Sequence, residues 1–176
     1  MVSFIVATIG RPTLAQALAS IEVWPGDEVI VMGAVPPGED GPVRRLACPP
    51  GKDWGSRERN LATPLARGSH LAHLDDDDVY VPGTRAAMAE AIRETPDRPV
   101  LFRMQYPSGR TLWQEPRLRL GNVGTPMMLI PNVPAKLGQW GEGRACGDFV
   151  FLQTMKWSPS EIVWRPEVVA HLGHDL

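Results

Sequence analysis

Four carboxylates in a row, Asp75, Asp76, Asp77 and Asp78, close a short apolar run that begins at Ser69 and His70. An unpaired buried charge is costly, so such a run cannot continue a strand into a core. The length of the apolar stretch and its abrupt end suit a buried strand whose carboxyl end opens on a cleft. Like charges side by side repel and raise one another's pKa, and a divalent cation removes the repulsion. Hard carboxylate oxygens suit magnesium, manganese or calcium rather than zinc. A solvated acidic turn is the bland alternative. The strand before the run, and Val79, Tyr80, Val81, Pro82 and Gly83 after it, favour the metal site.

Leu74 and the four aspartates, followed by Pro82 and Gly83, resemble the LDxDD…xPG signature of family 2 glycosyltransferases with the GT-A fold. Three further stretches resemble that family in the correct order, and together they span nearly the whole chain. The turn from Ala7 through Thr8, Ile9, Gly10 and Arg11 to Pro12 is similar to its opening PTxNRP segment, which implies that Thr8 and Arg11 border the nucleotide. Arg59 and Asn60 align with its ARN helix, where an arginine either holds the metal aspartates or meets a diphosphate. A planar fork of donors suits both. Gly147, Asp148 and Phe149 loosely match its GEDxDLxLR segment, with one acidic residue where two are common.

The resemblance implies the following roles. Asp75 meets the ribose or base, Asp76 takes the variable position beside the nucleotide, Asp77 binds the metal and Asp78 supports the turn. Asp148 is the base, with Glu142 in reserve. A late histidine, His171 or His174, completes the metal site; the residues themselves do not choose between the two. The second strand of the family usually ends in an aspartate that contacts the base. Here Val31, Met32, Gly33 and Ala34 occupy that stretch. The carboxylate is missing, so the base is not fixed, although a UDP-sugar is the donor the family leads one to expect.

The elements that must position these residues read as alternating strands and helices, the pattern of a nucleotide-binding α/β unit with ligands beyond the strands' carboxyl ends. The apolar run Val2–Thr8 is the first strand. Thr13 is placed to cap a helix over 13–21 with Leu14, Leu18 and Ile21 on one face. Residues 27–32 form a second strand, 35–42 a loop and 43–47 a short third strand. The helix carrying Arg59 kinks or restarts at Pro64. A helix follows Pro82 and Gly83 to about residue 94. Residues 100–104 and 111–113 pair across a turn at 107–110. The Gly121–Pro126 stretch, which precedes an apolar strand over 127–130, is either a plain turn or a loop that lets backbone approach a ligand. Asp148 opens an apolar helix, where an acidic residue also serves as an ordinary cap. Two closing strands cover 161–164 and 167–171.

With 176 residues the chain is expected to form one domain, 1–176, of mixed central sheet flanked by helices. No apolar run approaches the ~20 residues of a membrane helix, and no basic n-region opens the chain, so a cytoplasmic protein is expected. Net charge is −2, which gives no global attraction to nucleic acid or anionic membrane. Two cysteines, Cys48 and Cys146, lie too far apart for a CxxC pair and are expected reduced.

The expected activity is transfer of a sugar from a nucleotide diphosphate to an acceptor hydroxyl, with magnesium or manganese neutralising the leaving group, Asp148 removing the acceptor proton and, from the resemblance, inversion at the anomeric carbon. A nucleotidyltransferase would share the layout but usually carries a glycine-rich phosphate loop, for which Ile9, Gly10 and Arg11 are a poor match. A silent nucleotide-sugar-binding module would not need Asp75, Asp77 and Asp148 together. Arg103, Arg110, Arg117 and Arg119 either gather to bind a phosphorylated, lipid-linked or nucleic-acid acceptor or are solvated charge; a glycan or a protein acceptor is equally open. Acceptor binding falls to the chain's own loops or to a partner in a homodimer.

Overall fold

The structure is a computed structural model and describes residues 1–49, 51, 53–141, 143 and 146–173. Its core is one ten-stranded mixed sheet flanked by helices, as the alternating pattern requires. Strand β1 (Val2–Thr8) is buried at every residue, which is what a continuous apolar run demands. It lies between β2 (Glu28–Gly33) and β5 (His70–Asp75), parallel to both. Strand β4 (Val43–Ala47) extends the parallel set beyond β2. The chain therefore builds outward from β1 on one side, then crosses to the other side for β5. That reversal is where open α/β sheets hold ligands.

Beyond β5 the sheet turns mixed. Strand β9 (Met128–Pro131) pairs antiparallel to β5 and to β7 (Val100–Gln105). Strand β10 (Val163–His171) runs parallel to β7 and carries the two-residue strand β6 (Val79–Tyr80) on its far edge. The hairpin expected after β7 forms, with a return strand β8 shorter than expected (Thr111–Leu112). The helices are α1 (Leu14–Ala19), α2 (Ser56–Ala62), α3 (Thr84–Glu94) and α4 (Gly147–Thr154). At the amino end of the sheet Arg85 of α3 grips Asp27 with two hydrogen bonds of 2.6 and 3.1 Å, and Asp27 also accepts the Val2 N–H at 2.8 Å. This clamp leaves the other end of β1 free for the site.

Three local expectations change, and a fourth holds. Thr13 makes no side-chain cap, because its own backbone is already helical (φ −68°, ψ −16°). The 35–42 stretch contains β3 (Gly38–Asp40), an edge strand antiparallel to β4. Residues 159–161 form a 3-10 turn, and the two closing strands are one, β10, whose register slips between Trp164 and Val168. Pro166 lies in that gap, and a proline has no N–H for the ladder. The helix of Arg59 does restart at Pro64, as a 3-10 turn over Thr63–Leu65.

Candidate active site

Strands β1 and β5 end side by side, with Ala7 in register with Asp75. The four aspartates that follow are separated by the turn they form. Asp76 is 1% exposed, and its carboxylate organises the β1–α1 turn. Its Oδ2 accepts the Thr8 hydroxyl at 2.6 Å and the Ile9 and Arg11 N–H groups at 3.1 and 3.4 Å, while Oδ1 receives Arg11 Nη1 at 2.5 Å. Asp78, 2% exposed, accepts the Gly173 N–H at 3.1 Å, and its own N–H donates to the Asp75 carbonyl at 3.2 Å. Gly173 packs so closely that a Cβ there would collide with the Asp77 carbonyl oxygen. Burial of two aspartates is tolerable because each is met by donors. Asp77 keeps a partly exposed carboxylate, 3.5 Å from Arg11 Nη1.

Asp75 is paired from below. Arg59 of α2, 1% exposed, forms an ion pair with it through Nη2 and donates from Nη1 to the Trp54 carbonyl at 2.8 Å. Its geometry thus pairs it with one of the four aspartates, Asp75, while it also lines a cavity. Its guanidinium lies 4.6 Å from the Trp140 ring centroid. Neighbouring Asn60 bonds both the N–H and the carbonyl of Trp140, at 3.0 and 3.1 Å. Burial lowers the Arg59 pKa to about 10, against the raising effect of Asp148, Glu58, Asp78 and Asp53. It stays charged near neutrality. Beneath this pair His73 of β5 is fully buried among Trp140 and Phe151, with ring centroids 4.9 and 5.8 Å away. Neither ring nitrogen of His73 has a hydrogen-bond partner among the described residues. Burial, with a smaller contribution from Arg59, lowers its pKa to about 3.

Two cavities open above this floor. The first, about 410 Å³, lies over the ends of β1 and β5 and is lined by Thr8, Arg11, Asp75, Asp76 and Asp77 together with Gly51, Asp53, Trp54 and Gly55. The second, about 340 Å³, is lined by Arg59, Asp78, Tyr106, Trp140 and Asp148 and by the glycine-rich loop from Gly121 to Pro126. They share Asp75 and Trp54. Asp148 stands in the first turn of α4, with Oδ1 accepting the Phe149 N–H at 2.6 Å. Its Oδ2 faces Gly124, 3.9 Å from where a Cβ on that glycine would stand. Burial pushes the Asp148 pKa up; the Phe149 N–H and the Arg59 charge oppose that rise without cancelling it.

Thr8, Arg11, Asp75, Asp76 and Asp77 thus meet at one cavity, and Arg59 and Asp148 at the other. His171 is not with them: it ends β10 opposite Val79, exposed, and lines neither cavity. His174 and Glu142 lie outside the described residues. Among the described residues no group of three or more His, Cys, Asp or Glu side chains is arranged to hold a metal. The four arginines considered for an acceptor have local partners in three cases. Arg103 and Arg110 stack on Trp113 and Tyr106 at 4.3 and 4.7 Å, and Arg119 pairs with Glu115 at 3.1 Å. Residues overlooked in the sequence include Asp53, Trp54, Tyr106 and Trp140. The available signal was a tryptophan followed by glycine, at Trp54–Gly55 and Trp140–Gly141, in glycine-rich stretches; Trp140 is nonetheless buried in the core.

No family model matches the sequence, and no curated protein matches it either. Solved structures do. The chain superposes on S. aureus TarS 1–349 with a TM-score of 0.73 at 17% identity, over 97% of this chain and 60% of that one. The same TarS fragment in complex with UDP-GlcNAc matches with a TM-score of 0.68 at 18% identity, over 97% and 57%. A mannosyltransferase from Pyrobaculum calidifontis, in complex with GDP-Man and Mn2+, matches with a TM-score of 0.66 at 15% identity, over 98% and 56%. The chain spans three fifths or less of the length of each of these proteins. At such identities the likeness shows the fold, and that fold is the GT-A arrangement the motifs implied. No helix of the described residues is long and apolar enough to cross a membrane.

Proposed function

We propose that this chain is a GT-A glycosyltransferase domain that moves a sugar from a nucleotide diphosphate to an acceptor hydroxyl. The observation that carries the reading is the joining of two cavities at Asp75 and Trp54. One has the turn and carboxylates of a nucleotide site; the other has Asp148. Neighbours of the same fold bind UDP-GlcNAc in one case and GDP-Man with Mn2+ in another, which supports a sugar nucleotide as the donor.

In this reading the nucleotide lies over the ends of β1 and β5, and the sugar reaches the second cavity. Asp77 is the residue that would hold a divalent ion. Magnesium-like ions are commonly held by one or two carboxylates plus substrate phosphates, so a three-residue protein cluster is not required. When bound, the ion supplies charge neutralisation for the departing diphosphate. Arg11, 43% exposed and already beside Asp76 and Asp77, is placed to add a fork of donors to the same phosphates. Arg59 fixes Asp75 from beneath. Asp148 Oδ2 takes the acceptor proton as the hydroxyl attacks, and attack from the side opposite the leaving group inverts the anomeric carbon. Burial in the second cavity gives the carboxylate greater basicity, which suits a general base.

A melting-temperature screen of UDP-, GDP-, ADP- and CDP-sugars, with and without manganese, tests the proposal. A ligand that binds only the native state raises the melting temperature by mass action. At least one sugar nucleotide should do so, and more strongly with the metal. No shift with any of them at millimolar concentration would overturn the reading.

A further inference from the structure

Position 33, at the end of β2, offers no side chain to a nucleobase. Gly33 has a φ of +140°, and a Cβ there would collide with the Thr8 carbonyl oxygen, so no side chain fits at that point. Other polar groups of the first cavity are engaged. The Thr8 hydroxyl donates to Asp76 and accepts the Gly10 N–H at 2.9 Å. The Gly51 N–H donates to Glu58 at 2.7 Å. Asp53 differs: it lines this cavity, is 6% exposed, and has a buried Oδ1 beside Gly51 with no hydrogen-bond partner among the described residues. A buried carboxylate without a donor costs stability, which a ligand N–H would recover. Trp54 follows it, with its backbone in the left-handed region at φ 53° and its side chain 70% exposed at the cavity rim. Non-glycine residues rarely adopt that conformation, and strained backbone of this kind clusters at active sites and ligand clamps.

We infer that Asp53 and Trp54 together form the base-recognition pole of the donor site, Asp53 accepting a ring N–H and Trp54 stacking on the base. This rests on the proposed function and narrows its donor. A carboxylate accepts from the N3–H of uracil or from the N1–H and 2-amino group of guanine. Adenine and cytosine carry no ring N–H on that edge and offer only an exocyclic amino group. The donor class is therefore a uridine or guanosine diphosphate sugar.

Calorimetric titration of UDP, GDP, ADP and CDP in manganese, on wild type, Asp53→Ala, Asp53→Asn and Trp54→Ala, tests the inference. Wild type should bind UDP or GDP at least about tenfold more tightly than ADP and CDP, the scale of one hydrogen bond to a charged group. Asp53→Ala should erase that preference by weakening the favoured nucleotide roughly 10- to 100-fold. Its melting temperature should fall little, since Oδ1 has no donor to lose and Asp53 is only one of several carboxylates facing Arg59; an aspartate held by structural hydrogen bonds would lower it markedly. Asp53→Asn keeps the shape and should also flatten the preference, which covers a failure of the alanine variant to fold. Trp54→Ala should weaken all four nucleotides by a common factor of roughly 5- to 100-fold, because stacking tolerates any base. A preference that survives both Asp53 variants, or that favours ADP or CDP, overturns this inference and leaves the glycosyltransferase reading standing. Failure of wild type to bind any of the four overturns both.

Discussion

Arg59 is held between a ring and a carboxylate: its guanidinium lies 4.6 Å from the centroid of Trp140, and its Nη2 pairs with Asp75. The side chain is 1% exposed, so the pair it makes is the floor of the site rather than a contact with bulk solvent. Removing one member of a fully buried ion pair typically costs ~3–5 kcal/mol; the Asp75 side chain is 31% exposed, so that figure is the upper end here. Arg59→Met should lose stability on that scale in urea denaturation. Arg59→Lys should recover only part of it, because an ammonium lacks the planar fork that stacks and pairs at once. A loss below about 1 kcal/mol for the methionine variant would mean the pair is no more than a surface bridge in effect.

His73 makes stability depend on pH. Its folded pKa, lowered to about 3 by burial, lies below the unfolded value. Between the two the unfolded chain binds the extra proton. The contribution is therefore intact above the unfolded pKa of about 6.5 and is lost as pH falls toward the folded value. Over that whole window the loss is on the order of 4–5 kcal/mol at most. His73→Phe suits the aromatic surroundings and should leave stability at pH 7.5 little changed while flattening its decline between pH 6.5 and 4. An equally steep decline in the variant would assign the acid sensitivity to other groups.

The sheet was legible where burial is two-sided. Strands β1, β2 and β5 read as apolar runs because both faces are covered, and the acidic run marked the end of β5. What the sequence could not show is the direction of each carboxylate. Asp76 and Asp78 turn inward because donors distant in the chain, Thr8, Arg11 and Gly173, meet them there. The Arg59–Trp140 contact is hidden for the same reason: it joins residues far apart in sequence. Strand β10 looks like two strands in the sequence because Pro166 interrupts its ladder, a signal that marks an edge or an irregularity as readily as a strand end.

Asp77 and His171 should behave differently toward a metal. Asp77→Asn should weaken UDP or GDP binding much more in manganese than in EDTA, since its carboxylate borders the first cavity. His171→Ala should leave manganese dependence unaltered, because that side chain is exposed and lines neither cavity. Titration calorimetry on both variants decides. Equal nucleotide affinity for wild type and Asp77→Asn under both conditions would remove Asp77 from the ion, and a weakened manganese response in His171→Ala would restore the histidine to it.

Asp148 separates an enzyme from a binding module. Its Oδ1 already takes the Phe149 N–H, and Oδ2 faces the second cavity. Asparagine keeps a carbonyl for Phe149 and the volume of the side chain, so Asp148→Asn should fold and bind donor much like wild type. An amide cannot accept the acceptor's proton, so turnover should fall by ~10²–10⁴-fold. Slow donor hydrolysis can be followed where no acceptor is in hand. The pH dependence carries a second signature. Burial raises the carboxyl pKa, and the base must be ionised, so kcat/KM of wild type should rise with pH along an acidic limb displaced above the ordinary aspartate value of about 3.9. The same shift works the other way on stability. A carboxyl whose folded pKa is raised favours the native state most at low pH, and that contribution is lost as pH climbs through the folded value. Asp148→Asn should remove the acidic limb and this small stability trend together. A variant that turns over at the wild-type rate with the limb intact would show Asp148 to be only a residue of the first turn of α4.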